Sequence, residues 1–215
     1  MKKISDTSIN DIEIPENAVY KQTLAHYVDG ELEHTYYFYY DEHDNMILII
    51  KPPYKPFRYF YEYNDFGLVT VMSQDDGFQF NYEYNADKTL SKEICYHKNE
   101  PVYLNVYSYN GNNKPYKYER TVYDSNSKGY CEFDYDSNGR LSVKRTLNEK
   151  ELLRTEYFTY DYFGNLIKKE VDEKRRSIIY HEIYTYNSEN RLIQTARYDN
   201  NKLSYIDKYT YEFYK

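Results

Sequence analysis

The chain has 215 residues and a net charge of −7, from 28 Lys plus Arg against 35 Asp plus Glu, with only 2 Cys. That balance argues against nucleic acid or an anionic membrane surface as a direct partner, because phosphate recognition needs clustered cations, and two cysteines do not make the framework of a disulfide-dense secreted domain. The apolar material is 32 Tyr and 10 Phe with no Trp; aromatics this frequent contradict the disorder that a mean hydropathy of −0.97 would otherwise suggest.

Residues 1–17 are polar and read as a flexible lead-in or short cap. Lys2 and Lys3 are not followed by the apolar run of about 7–15 residues that a secretory signal carries. No segment approaches the roughly 20 apolar residues of a helical membrane span, so the expected location is cytoplasmic. Residues 18–215 read as a single β-repeat domain. Ala18 to Tyr27 forms the first strand, and Asp29-Gly30 signals a tight hairpin turn. The next strand runs from Leu32 into Phe38-Tyr39-Tyr40. After Met46-Ile47-Leu48-Ile49-Ile50 comes Lys51-Pro52-Pro53-Tyr54-Lys55-Pro56, a loop that stops a ladder and marks where the sheet is expected to break or turn a corner.

From there one phrase organises the chain. Its second aromatic stands at Tyr40, Tyr63, Tyr84, Tyr109, Tyr135, Tyr160, Tyr186 and Tyr211, with successive separations of 23, 21, 25, 26, 25, 26 and 25 residues. A constant period in this range is the mark of a repeat architecture. Two aromatics two apart share one face of a strand. An Asp or Asn follows (Asp41, Asn64, Asn85, Asn110, Asp136, Asp161, Asn187) and starts a turn. Gly67, Gly139 and Gly164, or Asp44, Asn113 and Asn190, stand three further on, where positive φ is needed. Lys88 breaks that rule and predicts a looser or distorted turn. Pro115 opens a return strand and, lacking an N–H, predicts an edge or irregular strand. Polar hairpins such as His97-Lys98-Asn99-Glu100 close the far end of each copy. About 16 strands result, an antiparallel meander of seven complete copies and a truncated eighth. Open sheets rarely exceed about 10 strands without curling or splitting, so the all-β meander is expected to coil as a spiral or stack in layers. Its terminal edges would be protected by residues before Ala18 and by Tyr211-Glu212-Phe213-Tyr214-Lys215.

The phrases Tyr135-Asp136-Ser137-Asn138-Gly139-Arg140-Leu141 and Tyr160-Asp161-Tyr162-Phe163-Gly164-Asn165-Leu166 resemble the YD repeat of Rhs-type proteins. The resemblance runs from about Tyr36 to the C-terminus; the copies at Tyr40, Tyr84 and Tyr109 are degenerate. MORN-like antitoxin repeats look similar, but their Gly-rich turns fit poorly with only 7 Gly.

No catalytic, cofactor-binding or metal-binding residues stand out, and no cofactor is implied. His181-Glu182-Ile183-Tyr184-Thr185 begins like a zinc-protease helix, but Thr185 replaces the second His and the segment lies in a strand. Asp75-Asp76 reads as turn chemistry. The basic cluster Lys168-Lys169 with Lys174-Arg175-Arg176 is interleaved with Glu170, Asp172 and Glu173 and reads as a solvated hairpin. The anchor tyrosines read as an internal ladder; Tyr54, Tyr116, Tyr162 and Tyr205 stay open as surface contacts. A full Rhs shell encloses a toxin, which about seven copies cannot do. The resemblance therefore implies a non-enzymatic protein-binding module, foremost an immunity protein (antitoxin) that binds a cognate polymorphic toxin; a shell or scaffold segment with free edges is the alternative, and a glycan-binding repeat the third. Neither nucleic acid nor membrane is an expected partner.

Overall fold

The structure, a computed structural model, describes residues 14–16, 18–174 and 177–214. The expected lead-in thus lies largely outside the described residues, as do Arg175, Arg176 and Lys215. Sixteen strands follow in order: β1 (Tyr20–Val28), β2 (Glu31–Tyr40), β3 (Met46–Ile50), β4 (Phe57–Tyr63), β5 (Val69–Gln74), β6 (Phe78–Tyr84), β7 (Leu90–His97) and β8 (Glu100–Tyr109). The second half comprises β9 (Pro115–Val122), β10 (Ser127–Tyr135), β11 (Leu141–Asn148), β12 (Leu152–Tyr160), β13 (Leu166–Glu173), β14 (Ile178–Tyr186), β15 (Leu192–Asp199) and β16 (Lys202–Phe213). Each strand pairs antiparallel with its sequence neighbours, as the meander requires.

The ends correct the expectation of a spiral or layered sheet. β1 pairs with β16 along its length, from Tyr20↔Phe213 to Tyr27↔Ile206, and the sheet closes into a 16-stranded barrel. Closure is the one arrangement that removes edges altogether. The terminal strands therefore shield each other; Tyr211–Phe213 is part of β16, and Tyr214 N–H donates to the Val19 carbonyl. The seam adds Lys21–Glu212 at 2.8 Å and a Tyr20–Tyr40 stack at 4.6 Å.

Each repeat turn is built alike. The first residue's N–H donates to the fifth residue's carbonyl and the fourth residue's N–H to the first's carbonyl, as in Asn64←Gly67 and Asn64→Leu68. The fourth residue has positive φ, and the ladder register slips at every anchor from Tyr40 to Tyr186. This is a type I turn followed by a bulge. Lys88 adopts φ +68° and keeps both backbone bonds, so the backbone of that turn is not distorted. What it lacks is the side-chain brace: Asp41, Asn64, Asn110, Asp136 and Asn187 accept two backbone N–H groups each, whereas Asp87 and Thr89 brace the Lys88 turn instead. Pro115 likewise does not make an edge. As first residue of β9 it needs no ladder N–H, and β9 pairs on both sides. At the Pro-rich loop the sheet narrows without breaking, since β3 and β4 share two paired positions, Leu48↔Arg58 and Ile49↔Phe57.

The barrel has little packed core. Among the described residues ten apolar and five polar side chains are buried, while both faces of nearly every strand stay partly accessible. A sheet covered by another layer would show one buried face, so the interior is a lined lumen. Among the described residues one apolar cluster forms, Tyr39, Ile47, Leu48 and Ile50, backed by Ala18, Tyr37 and Tyr61. It lies where the β3–β4 ladder is shortest.

Candidate binding rim and lumen

Alternation assigns the two faces. The anchors and the aromatics two before them share one face, where side chains reach across an intervening strand: Arg154 Nη2 on β12 donates to Tyr180 OH on β14 at 3.1 Å. Such convergence marks the concave, inward side. On the outward side lie the exposed Phe60, Val106, Tyr157, Ile179 and Ile183, and ion pairs around the ring: Glu83–Lys92, Lys117–Glu119, Asp134–Arg145 and Lys168–Glu170.

The inward anchors explain why each is Tyr while the residue two before it is Phe or Tyr. The β13–β14 backbone ladder ends at Lys168↔Ile183. Beyond it Tyr186 OH donates to the Leu166 carbonyl at 2.9 Å. The same staple joins Tyr84 to Val69, Tyr109 to Leu90, Tyr135 to Pro115, Tyr160 to Leu141 and Tyr211 to Leu192, at 2.7–2.9 Å. In the second copy Tyr61 takes this part, donating to Met46 O, while Tyr63 OH meets Asn45 and Asp41. At the seam Gln22 bridges Tyr40 and Tyr211. The tyrosines are therefore the internal ladder. Burial lifts the Tyr107 and Tyr209 hydroxyls from 10.0 to about 12.

Deeper in the lumen, charges are paired. The buried Glu156 carboxylate meets Lys169 at 2.9 Å, Arg154 at 3.0 Å and Lys144 at 3.6 Å. Burial raises its pKa, but the hydrogen bond and charge of Lys169, then the charges of Lys144 and Arg154, outweigh that and hold it low. Glu93 accepts from Tyr103 and Asn105, Arg120 donates to Asn105 and lies 4.1 Å over the Tyr103 ring, and Arg197 lies 3.7 Å over Tyr180 while paired with Asp199. At the seam His26 Nδ1 stands 2.6 Å from Asp207 Oδ1, and the His26 and His34 ring centroids lie 6.4 Å apart. No local sequence pattern marks this group, because closure supplies Asp207 and a bulge beside Tyr27 brings His34 opposite His26. Among the described residues no three His, Cys, Asp or Glu form a metal-binding group. His181 stacks outward on Tyr198, and Glu182 accepts inward from Tyr184, so the protease-like phrase is split between faces. Asp75 and Asp76 accept the Arg58 and Phe78 N–H groups as turn residues.

One rim differs. The seven turns 41–45, 64–68, 85–89, 110–114, 136–140, 161–165 and 187–191 share one end of the barrel. Sibling tips carry small or polar residues, Ala86-Asp87, Gly111-Asn112, Ser137-Asn138 and Ser188-Glu189, but two carry aromatics. Tyr162 and Phe163 are 96% and 77% exposed and pack edge-on at 5.8 Å; Phe66 is 70% exposed under Lys88. Of the four open tyrosines, then, Tyr162 stands on the rim, Tyr54 is exposed in the Pro-rich loop, Tyr116 is half-exposed on β9, and Tyr205 lies inward beside Arg197 and His26.

No protein family and no curated protein matches the sequence. Among solved structures the chain is similar to a porin-like protein from Bacteroides uniformis, with TM-score 0.58 and 12% identity, covering 89% of this chain and 97% of that one. A porin-like protein from Bacteroides vulgatus aligns at TM-score 0.54 and 12% identity, over 88% and 97% of the two chains. A Photorhabdus luminescens Tc holotoxin pore structure aligns at TM-score 0.41 and 14% identity over 81% of this chain and 10% of that one, too slight a likeness to argue from. At these identities the likeness is one of fold: a closed, antiparallel all-β barrel.

Proposed function

We propose that the chain is a non-catalytic protein-binding barrel of the cytoplasm that engages its partner through the turn rim. The observation that carries this is the pair Tyr162-Phe163. The turn needs only Asp161 and Gly164, and four sibling turns form with small or polar tips, Ala86-Asp87, Gly111-Asn112, Ser137-Asn138 and Ser188-Glu189. Rings held out at 96% and 77% exposure are costly for a soluble surface and are the residue types enriched at interface hot spots. The specific form we favour is an immunity protein that binds a polymorphic toxin, which rests on the resemblance of the repeats to Rhs-type proteins.

A membrane pore is the second reading, favoured by the hollow barrel and by the porin-like proteins it resembles. Against it stand the outward ion pairs around the ring. A lipid-facing band is apolar, and each Lys or Arg at its midplane costs about 2–4 kcal/mol. The scaffold alternative needs a free edge strand, and the paired β1 and β16 offer none.

The test is affinity capture from source-cell lysate with the wild type and a Tyr162→Ser/Phe163→Asn variant of unchanged melting midpoint. A stoichiometric protein held by the wild type alone, toxic when expressed by itself and harmless when co-expressed, is the expected result. Equal capture by both proteins would remove the rim from the account, and conductance across lipid bilayers would replace it with the pore.

A further inference from the structure

Resting on that reading, we infer that the partner is a basic protein that caps the barrel end-on, touching the turn rim on opposite sides of the mouth at once. Two observations converge. Phe66 lies between β4 and β5, whereas Tyr162 and Phe163 lie between β12 and β13, eight strands away in a ring of sixteen. Sixteen strands about 4.8 Å apart and tilted by about 40° close a circular ring roughly 30 Å across. A partner that touches only one aromatic tip leaves the other exposed; one that covers both is as wide as a small domain and lies over the mouth.

Charge selects the partner's chemistry. The seven turns hold eight carboxylates, among them Glu42, Asp65 and Glu189, against four cations, Lys88, Lys114, Arg140 and Arg191. These 35 residues thus carry −4 of the chain's −7. Opposite potentials across an interface speed encounter, and like ones are penalised. A second copy docked rim to rim would bring two acidic faces together, and an anionic lipid surface would be repelled in the same way. A basic protein face with apolar pockets fits.

The experiment places a photo-reactive phenylalanine analogue singly at Phe66, at Tyr162 and, as an outer-wall control, at Ile179, then irradiates lysate at low and high salt. The expected result is one cross-linked polypeptide of net basic sequence, the same from positions 66 and 162 and absent from 179. Its yield falls at high salt and is lost in an Asp65→Lys/Glu42→Lys background. Cross-linking from 162 but not 66, or to an acidic chain, would overturn the capping inference and leave the rim reading standing. Cross-linking from 179 alone would overturn the rim and keep a protein partner. No cross-link from any position would sink both.

Discussion

The wall from β10 to β16 and the stretch from β2 to β4 solve the same problem differently. In the regular wall the copies recur at 25 or 26 residues, the bulge, turn and tyrosine staple repeat, and among the described residues the buried apolar side chains are few: Cys131, Val171, Tyr180 and Ala196. Between β2 and β4 the Pro-rich loop leaves two paired positions, the staple slips to Tyr61, and Tyr39, Ile47, Leu48 and Ile50 pack instead. A periodic ladder stabilises a thin wall by many small hydrogen-bonded units, each of about 0.5–1.5 kcal/mol. Where the ladder is interrupted, packing has to supply the difference.

The comparison breaks most visibly at Leu48, which is fully buried. Leu48→Ala is expected to cost about 3 kcal/mol, within the range for core Leu truncation, read by chemical denaturation. Truncating Leu166 in the wall, which is only partly buried, should cost less than half as much. Gly139→Ala comes next. Its φ of +75° disfavours a Cβ by about 1–2 kcal/mol, while the Lys114 ammonium against that site can swing away. Tyr160→Phe removes one staple and should cost about 1 kcal/mol; Tyr63→Phe, which holds no carbonyl, should cost less.

The strand count, the hairpin phase and, apart from Lys88 and Pro115, the turn chemistry were legible, because each depends on residues a few positions apart. Closure was not. It rests on pairs such as Tyr20↔Phe213 and on twist and tilt accumulated over sixteen strands, which no local pattern encodes. The staple could have been found: every anchor is Tyr, whereas the aromatic two before it is Phe at positions 38, 133 and 158, and only a hydroxyl requirement explains the difference. The rim was legible only in part. Tyr162 stands open to a surface role in the sequence, but no local pattern marks Phe66 and Phe163, which only their exposure sets apart from the small or polar tips of other turns.

The smallest expected effect is nil at neutral pH and appears in alkali. Tyr107 and Tyr209 have folded pKa values raised to about 12 against 10.0 unfolded, through burial first. A raised pKa contributes stability that is full below pH 10.0 and is lost as pH climbs through about 12. Phenolate absorbance should therefore lag the free-tyrosine titration, and the denaturation midpoint should fall over that window. At the acid end the depressed Glu156 carboxyl acts oppositely, its contribution present above its ordinary 4.5 and lost as pH drops through its lower folded value.

Closure is the claim on which the rim, the lumen and the absence of a free edge all depend. Hydrogen–deuterium exchange of peptides covering β1 and β16 tests it directly. A closed barrel leaves their amides as protected as those of β12 and β13. Exchange on the timescale of an unpaired edge strand, confined to β1 and β16, would show an open sheet and contradict the account.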